Sequence, residues 1–183
     1  MDMQQRVNIV HQDHGKTVVD STIAVTMHFS KTTDSKGNAS WGVSSSVSNV
    51  SGAAFSRPQL STMENSINAM QKAAIGRGFG ETTTQMVTAI GVAETHLGTY
   101  SAPGAPAFKA GAINPMQLSG GRANMNLDHN VRGAMDVVQW AGKPSGYDPT
   151  STYGRYSDGS AATMANWGAT YGSLSELSSV PWP

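Results

Sequence analysis

Residues 82–98 read Thr82-Thr83-Thr84-Gln85-Met86-Val87-Thr88-Ala89-Ile90-Gly91-Val92-Ala93-Glu94-Thr95-His96-Leu97-Gly98. Met86, Ile90, Ala93 and Leu97 recur at the spacing that lines one face of an α-helix. Thr82 with Gln85 predicts a capping box at its start, and Gly98 predicts its stop. One charged residue intrudes. Glu94 lies one turn after Ile90 and two turns after Val87, at the edge of the apolar stripe. A carboxyl held there is partly withdrawn from water, which raises its pKa. A proton retained near neutral pH is what a glycosidase acid needs to protonate a leaving oxygen. The plainer alternative is a surface glutamate at a frayed helix end, so the surrounding sequence has to decide.

Upstream, Ser61-Thr62-Met63-Glu64 reads as a second capping box. Met63, Ile67, Met70 and Ala74 follow at helical spacing, with Gly76 as the stop. Before residue 48 the period is two. Ile23, Val25, Met27 and Phe29 alternate with smaller or polar residues, as do Trp41, Val43, Ser45 and Val47, which predicts a sheet with one apolar face. Asp34-Ser35-Lys36-Gly37-Asn38 suits the hairpin turn between them. Val7–Val10 is a shorter candidate strand, and the small-residue stretch Ser48–Ser61, with Pro58, reads as a linker. Downstream, residues 99–121 form a Gly/Pro/Ala-rich loop. Leu127, Val131, Ala134 and Val138 mark a helix capped by Asn126 and ended by Gly142. Met164, Trp167 and Tyr171 mark a last helix over Ser160–Tyr171.

Composition narrows the function classes. A formal net charge of +0 offers no large basic field for nucleic acid. The absence of cysteine excludes disulfides, thiolate nucleophiles and Cys-based zinc sites. No stretch approaches the ~20 apolar residues of a membrane span, so no membrane insertion is expected. Met1–Val10 lacks the apolar core of a signal peptide. His11-Gln12-Asp13-His14 has metal-ligand residue types, but nothing fixes a third ligand, and a polar turn between strands is the simpler reading. No His-Glu-x-x-His pattern occurs. Gly76-Arg77-Gly78-Phe79-Gly80 follows a helix rather than a strand and is not read as a phosphate loop.

Four short segments, in order, resemble those of the soluble lytic transglycosylases and goose-type lysozymes, within the lysozyme-like superfamily. Ala93-Glu94-Thr95 is similar to the catalytic Glu followed by Ser or Thr at a helix end. Gly111-Ala112-Ile113-Asn114-Pro115-Met116-Gln117-Leu118 resembles the family's Gly-Leu-Met-Gln turn. Asn130-Val131-Arg132-Gly133-Ala134 resembles its Asn-Ile-x-x-Gly segment, and Met164-Ala165-Asn166-Trp167-Gly168 its Ala-Tyr-Asn-Ala-Gly segment. The resemblance covers about residues 61–175. It departs at Ala165, where the transglycosylases carry Tyr. It departs again after Glu94, where goose-type lysozymes carry acids and this chain has none before Asp128.

The resemblance, joined to the period-two alternation before residue 48, implies an α+β, mainly helical lysozyme-like domain with an N-terminal β-hairpin-rich segment. Residues 1–57 would form the β-rich segment, packed on the rest through Phe29 or Trp41, and residues 58–183 the catalytic domain. It implies cleavage of the β-1,4 bond between N-acetylmuramic acid and N-acetylglucosamine in peptidoglycan glycan strands, with Glu94 as general acid and no cofactor or metal. Thr95, Gln117, Asn130, Asn166 and Tyr153 are the expected substrate-binding or cleft-wall residues. Tyr153, Tyr156, Trp167 and Tyr171 fit sugar stacking, although ordinary core packing is the better reading for Trp167. The chain is also similar to the lysozyme domains of bacterial type VI secretion effectors. That implies action in the periplasm or on the cell wall after delivery by a secretion or phage machine, with an immunity protein as partner. Three alternatives stay open: a lytic transglycosylase using the same Glu, a non-catalytic wall-binding module, and a zinc amidase resting on His11 and His14.

Overall fold

The computed structural model describes residues 2–100, 114–118 and 126–176. Three long strands, β1 (Asp2–Asp13), β2 (Lys16–Thr33) and β3 (Ala39–Gly52), form an antiparallel meander. Helices α1 (Arg57–Gly76), α2 (Glu81–Thr95), α3 (Leu127–Gly142), α4 (Pro149–Tyr156) and α5 (Ala161–Tyr171) follow. A short β4 (Ser175–Glu176) returns to the sheet beside β1, giving the order β3-β2-β1-β4.

The sheet has one buried face because its side chains alternate. Val25 is paired with Gln5 on one side and Val47 on the other, and Ile23 with Val7 and Asn49. Met3, Val7, Ile9, Ile23, Val25, Met27, Phe29 and Val47 all turn inward and are buried. A register shift between Ile9 and Val10 lets two successive side chains be buried, which strict alternation forbids. The β1–β2 turn places His14 and Gly15 at positive φ, the twist a two-residue hairpin requires. The β2–β3 turn is the expected one. Asp34 Oδ1 accepts from the amides of Lys36 and Asn38 (2.8 Å each).

The expectation of a mainly helical lysozyme-like domain with an N-terminal hairpin is corrected. The hairpin is there, but it is part of a sheet with strands of 12, 18 and 14 residues. The fold is α+β, with sheet and helices sharing one core. Phe29 is buried in that core, and Trp41 packs at its margin. The sequence understates this sheet for a physical reason. Its outer face is solvated and therefore built of Ser, Thr and Asn, and polar Gln5 and Ser21 interrupt the inner face.

The start of α1 is also corrected. The residues expected as a linker hold the end of β3 and the first turns of α1. The helix is capped by Ser56 and Gln59, whose side chains each accept from the other's backbone amide, with Pro58 in the first turn. Glu64, expected as a capping residue, instead fastens α1 to the sheet. Its Oε1 accepts from the Val47 amide (3.0 Å), its backbone carbonyl accepts from Ser45 Oγ (3.1 Å), and Arg57 grips both carboxylate oxygens. Burial would push the Glu64 carboxyl up, but the Arg57 guanidinium and the Val47 amide hold it below the usual range. Its stabilisation is therefore present above the unfolded pKa of about 4.3 and lost as pH falls through the folded value. Glu64→Ala is expected to cost about 2 kcal/mol at pH 7, and less in acid, in chemical denaturation. An unchanged denaturation midpoint at both pH values would remove the tie.

Candidate active site

The last turn of α2 ends in an abrupt reversal. His96, Leu97 and Gly98 all have positive φ (48°, 58° and 86°), and the Leu97 amide reaches back to the Gly91 carbonyl at 2.8 Å. Gly91 permits this. A Cβ there would lie 2.8 Å from the tip of Met70 and 3.1 Å from Leu97. Among the described residues five non-glycine residues have positive φ, and three of them, His96, Leu97 and Gln117, adjoin Glu94. Such backbone costs of order 1–3 kcal/mol per residue and collects at functional sites.

Glu94 is half-buried at this broken helix end. Tyr153 of α4 donates its hydroxyl proton to Glu94 Oε1 at 2.8 Å. Gln117 Nε2 donates to the Glu94 backbone carbonyl at 2.8 Å. Thr95, fully buried, donates through Oγ1 to the Pro115 carbonyl (2.7 Å) and accepts from the Gly98 amide (2.8 Å). The Tyr156 hydroxyl donates to the Met116 carbonyl (2.6 Å). Asn114 closes the turn on itself through the amide and carbonyl of Leu118. The segment 114–118 is therefore pinned to the end of α2 and to α4 at successive residues. Gly111, Ala112 and Ile113, the start of the resembling segment, lie outside the described residues.

Burial holds the Glu94 carboxyl above its usual pKa. The Tyr153 hydrogen bond pulls it back, and the negative charge of Asp158 pushes it further up. Asp158 lies exposed in the turn between α4 and α5. Hydrogen bonds from the Ser160 amide (2.9 Å) and neighbouring hydroxyls keep it below the usual carboxylate range and charged. The Tyr153 phenol is driven well above its usual value by burial and by the neighbouring Glu94, so it stays a donor. Burial lowers the pKa of His96 against the opposing charge of Asp20, and its ring stacks on Tyr100 at 4.8 Å.

The structure thus brings together Glu94, Thr95, Gln117 and Tyr153. Tyr153 is not a sugar platform. It is 1% exposed and stacked on Trp167 at 4.2 Å, with Tyr156 and Tyr171 continuing the stack. Thr95 acts on the loop rather than on a ligand. Asn130 is buried near the start of α3. Asn166 accepts from Gln12 Nε2 of β1 (2.8 Å) and so ties α5 to the sheet. Ala165 is exposed, and it is Tyr153 of α4 that supplies a phenol to Glu94. The two histidines of the β1–β2 hairpin have separate partners, His11 with Asp20 and His14 with Asp13. Among the described residues no three His, Asp or Glu gather in metal-holding range.

Tyr153→Phe keeps the stacked ring and removes the side-chain donor that, among the described residues, favours ionised Glu94. The Glu94 pKa is then expected to rise, which titration of its carboxyl carbon by NMR reads directly. A pKa that stays in place, or falls, would show that the hydroxyl does not control the carboxyl.

Compared with family models, with curated proteins and with solved structures, the chain matches none.

Proposed function

We propose that this chain hydrolyses the β-1,4 bond between N-acetylmuramic acid and N-acetylglucosamine in peptidoglycan, with Glu94 as general acid. The observation that carries the reading is the Glu94 carboxyl itself. It is half-buried at a strained helix end, raised in pKa by burial, and oriented by a phenol at 2.8 Å. A wall-binding module without catalysis has no use for a carboxyl whose ionisation burial disfavours. Convergence of the first two resembling segments at the end of α2, through Thr95 to the Pro115 carbonyl and Gln117 to the Glu94 backbone carbonyl, supports the same reading.

The chemistry follows from the hydrogen bonds. Tyr153 occupies Oε1, which leaves Oε2 to carry the proton. That proton passes to the leaving oxygen of N-acetylglucosamine as the glycosidic bond breaks. Glu94, now ionised and stabilised by Tyr153, accepts a proton from the water that adds to the muramic acid anomeric carbon. Asp158 is the second carboxylate in electrostatic reach of the first, suited to the developing oxocarbenium charge or to the incoming water. Gln117, fixed through its amide nitrogen, offers its carbonyl oxygen to an acetamido N–H.

Asp158 favours hydrolysis over transglycosylation. Ala165 has no bearing on that choice, because it is exposed and Tyr153 supplies the phenol beside the acid. Unreduced muropeptides analysed by mass spectrometry distinguish the two: reducing ends are expected. Products lighter throughout by one water would mean that the muramic acid 6-hydroxyl attacks intramolecularly, and would replace hydrolysis with transglycosylation. On the proposed reading the chain acts at the cell wall, delivered by a secretion or phage machine, and an immunity protein would cover Glu94.

A further inference from the structure

Trp140 is the most exposed large apolar side chain among the described residues, at 60%. It stands on the outer face of α3 as the shared wall of two grooves, of about 730 and 400 Å³. The Arg155 guanidinium lies 5.1 Å from the centre of its ring. Arg132 lines the first groove, and Lys143 and Arg155 line the second. Asp136 borders both, but Arg77, just past the end of α1, takes up its charge at 2.5 Å. Arg132, Lys143 and Arg155 form no ion pair among the described residues. A chain of zero formal net charge therefore concentrates three unbalanced cations around one open indole.

We propose that this face is a second binding site for peptidoglycan, separate from Glu94, which takes a sugar face on Trp140 and the carboxylates of the peptide stems on Arg132, Lys143 and Arg155. The inference rests on the glycosidase reading for its ligand. A flat aromatic surface beside cations matches a polymer that alternates apolar sugar faces with acidic peptides. The site is coupled to Glu94 through α4. Tyr153 and Arg155 are two residues apart on that helix and so point to opposite sides, one to the acid and the other to Trp140. A glycan strand engaged at both places would cross α4. The second site should hold the enzyme on insoluble wall without altering the chemistry.

The test uses the full chain carrying Glu94→Gln, so that the wall is not digested during binding, and co-sedimentation with purified sacculi. Adding Trp140→Ala is expected to weaken binding about tenfold, with Trp140→Tyr retaining most of it. Arg132→Ala with Arg155→Ala should weaken binding and flatten its salt dependence. Sacculi stripped of peptide stems should bind less well than intact ones. In the chain with Glu94 intact, Trp140→Ala should leave kcat and KM on short soluble glycan fragments unchanged. Wild-type binding by both the Trp140→Ala and the double-arginine variants overturns the proposal, as does equal binding to stripped and intact sacculi. If the wild-type chain cleaves glycan but binding ignores Trp140, this inference fails alone. If binding depends on Trp140 while no glycan is cleaved, the glycosidase reading fails and the binding site stands.

Discussion

Glu94→Gln is expected to slow glycan cleavage by ~10²–10⁴-fold and also to make the protein more stable above neutral pH. The first effect follows from the loss of the proton source, since the amide keeps the size of the side chain and an oxygen for Tyr153 to bond. The second follows from linkage. Burial holds the folded-state pKa of Glu94 above the unfolded value of about 4.3. Its favourable contribution is fully present below that value and is lost as pH rises through the folded-state pKa. At alkaline pH the wild-type protein must keep a half-buried carboxylate ionised, whereas the Gln variant does not. The two should melt together near about pH 4 and diverge toward about pH 8, with the variant higher. A variant that melts lower at pH 8 would mean that Glu94 is a stabilising surface charge and not a desolvated acid.

Removal of residues 1–56 is expected to abolish cooperative folding. Eight apolar side chains of the sheet, from Met3 to Val47, are 4% exposed or less and belong to the same cluster as the helices. Burying such a side chain stabilises by ~1.5–3 kcal/mol. Loss of all eight would remove roughly 12–24 kcal/mol as an upper estimate, against ~5–15 kcal/mol of net stability for a domain. The Glu64 tie to Val47 goes with them. A chain beginning at Arg57 should show no cooperative thermal transition and no fixed near-UV signal. If it melts cooperatively within a few degrees of the full chain, the helices carry their own core and the sheet is an appendage.

What was legible in the sequence depended on whether the deciding interaction was local. The ends of α3 and α5 were readable because Asn126 and Ser160 bond amides three residues on, at His129 and Thr163. The start of α1 was misplaced because two Ser-x-x-acceptor patterns stand five residues apart. The choice between them falls to β3, which takes Glu64 for itself. Glu94 was visible as a charge on an apolar stripe. Its partner was not. The Tyr153 bond spans 59 residues, and α4 is an eight-residue helix with too little length for a stripe. Its start does carry a local signal in Asp148-Pro149, an N-cap followed by proline in the first turn, with Asp148 accepting from the Ser151 amide at 2.9 Å. The reversal at His96 and Leu97 carries only a weak signal in residue type, since histidine visits left-handed backbone more often than most residues but leucine does not. Packing over Gly91 imposes it.

Digestion of purified sacculi shows whether Glu94 drives cleavage of glycan strands. Wild-type protein and Glu94→Gln are incubated side by side with a chelator present, and the soluble products are identified by mass. The expected result is disaccharide-peptides released by the wild-type protein and at least 10²-fold fewer released by the variant. Equal release by both proteins, or release of peptides without sugars, would contradict it.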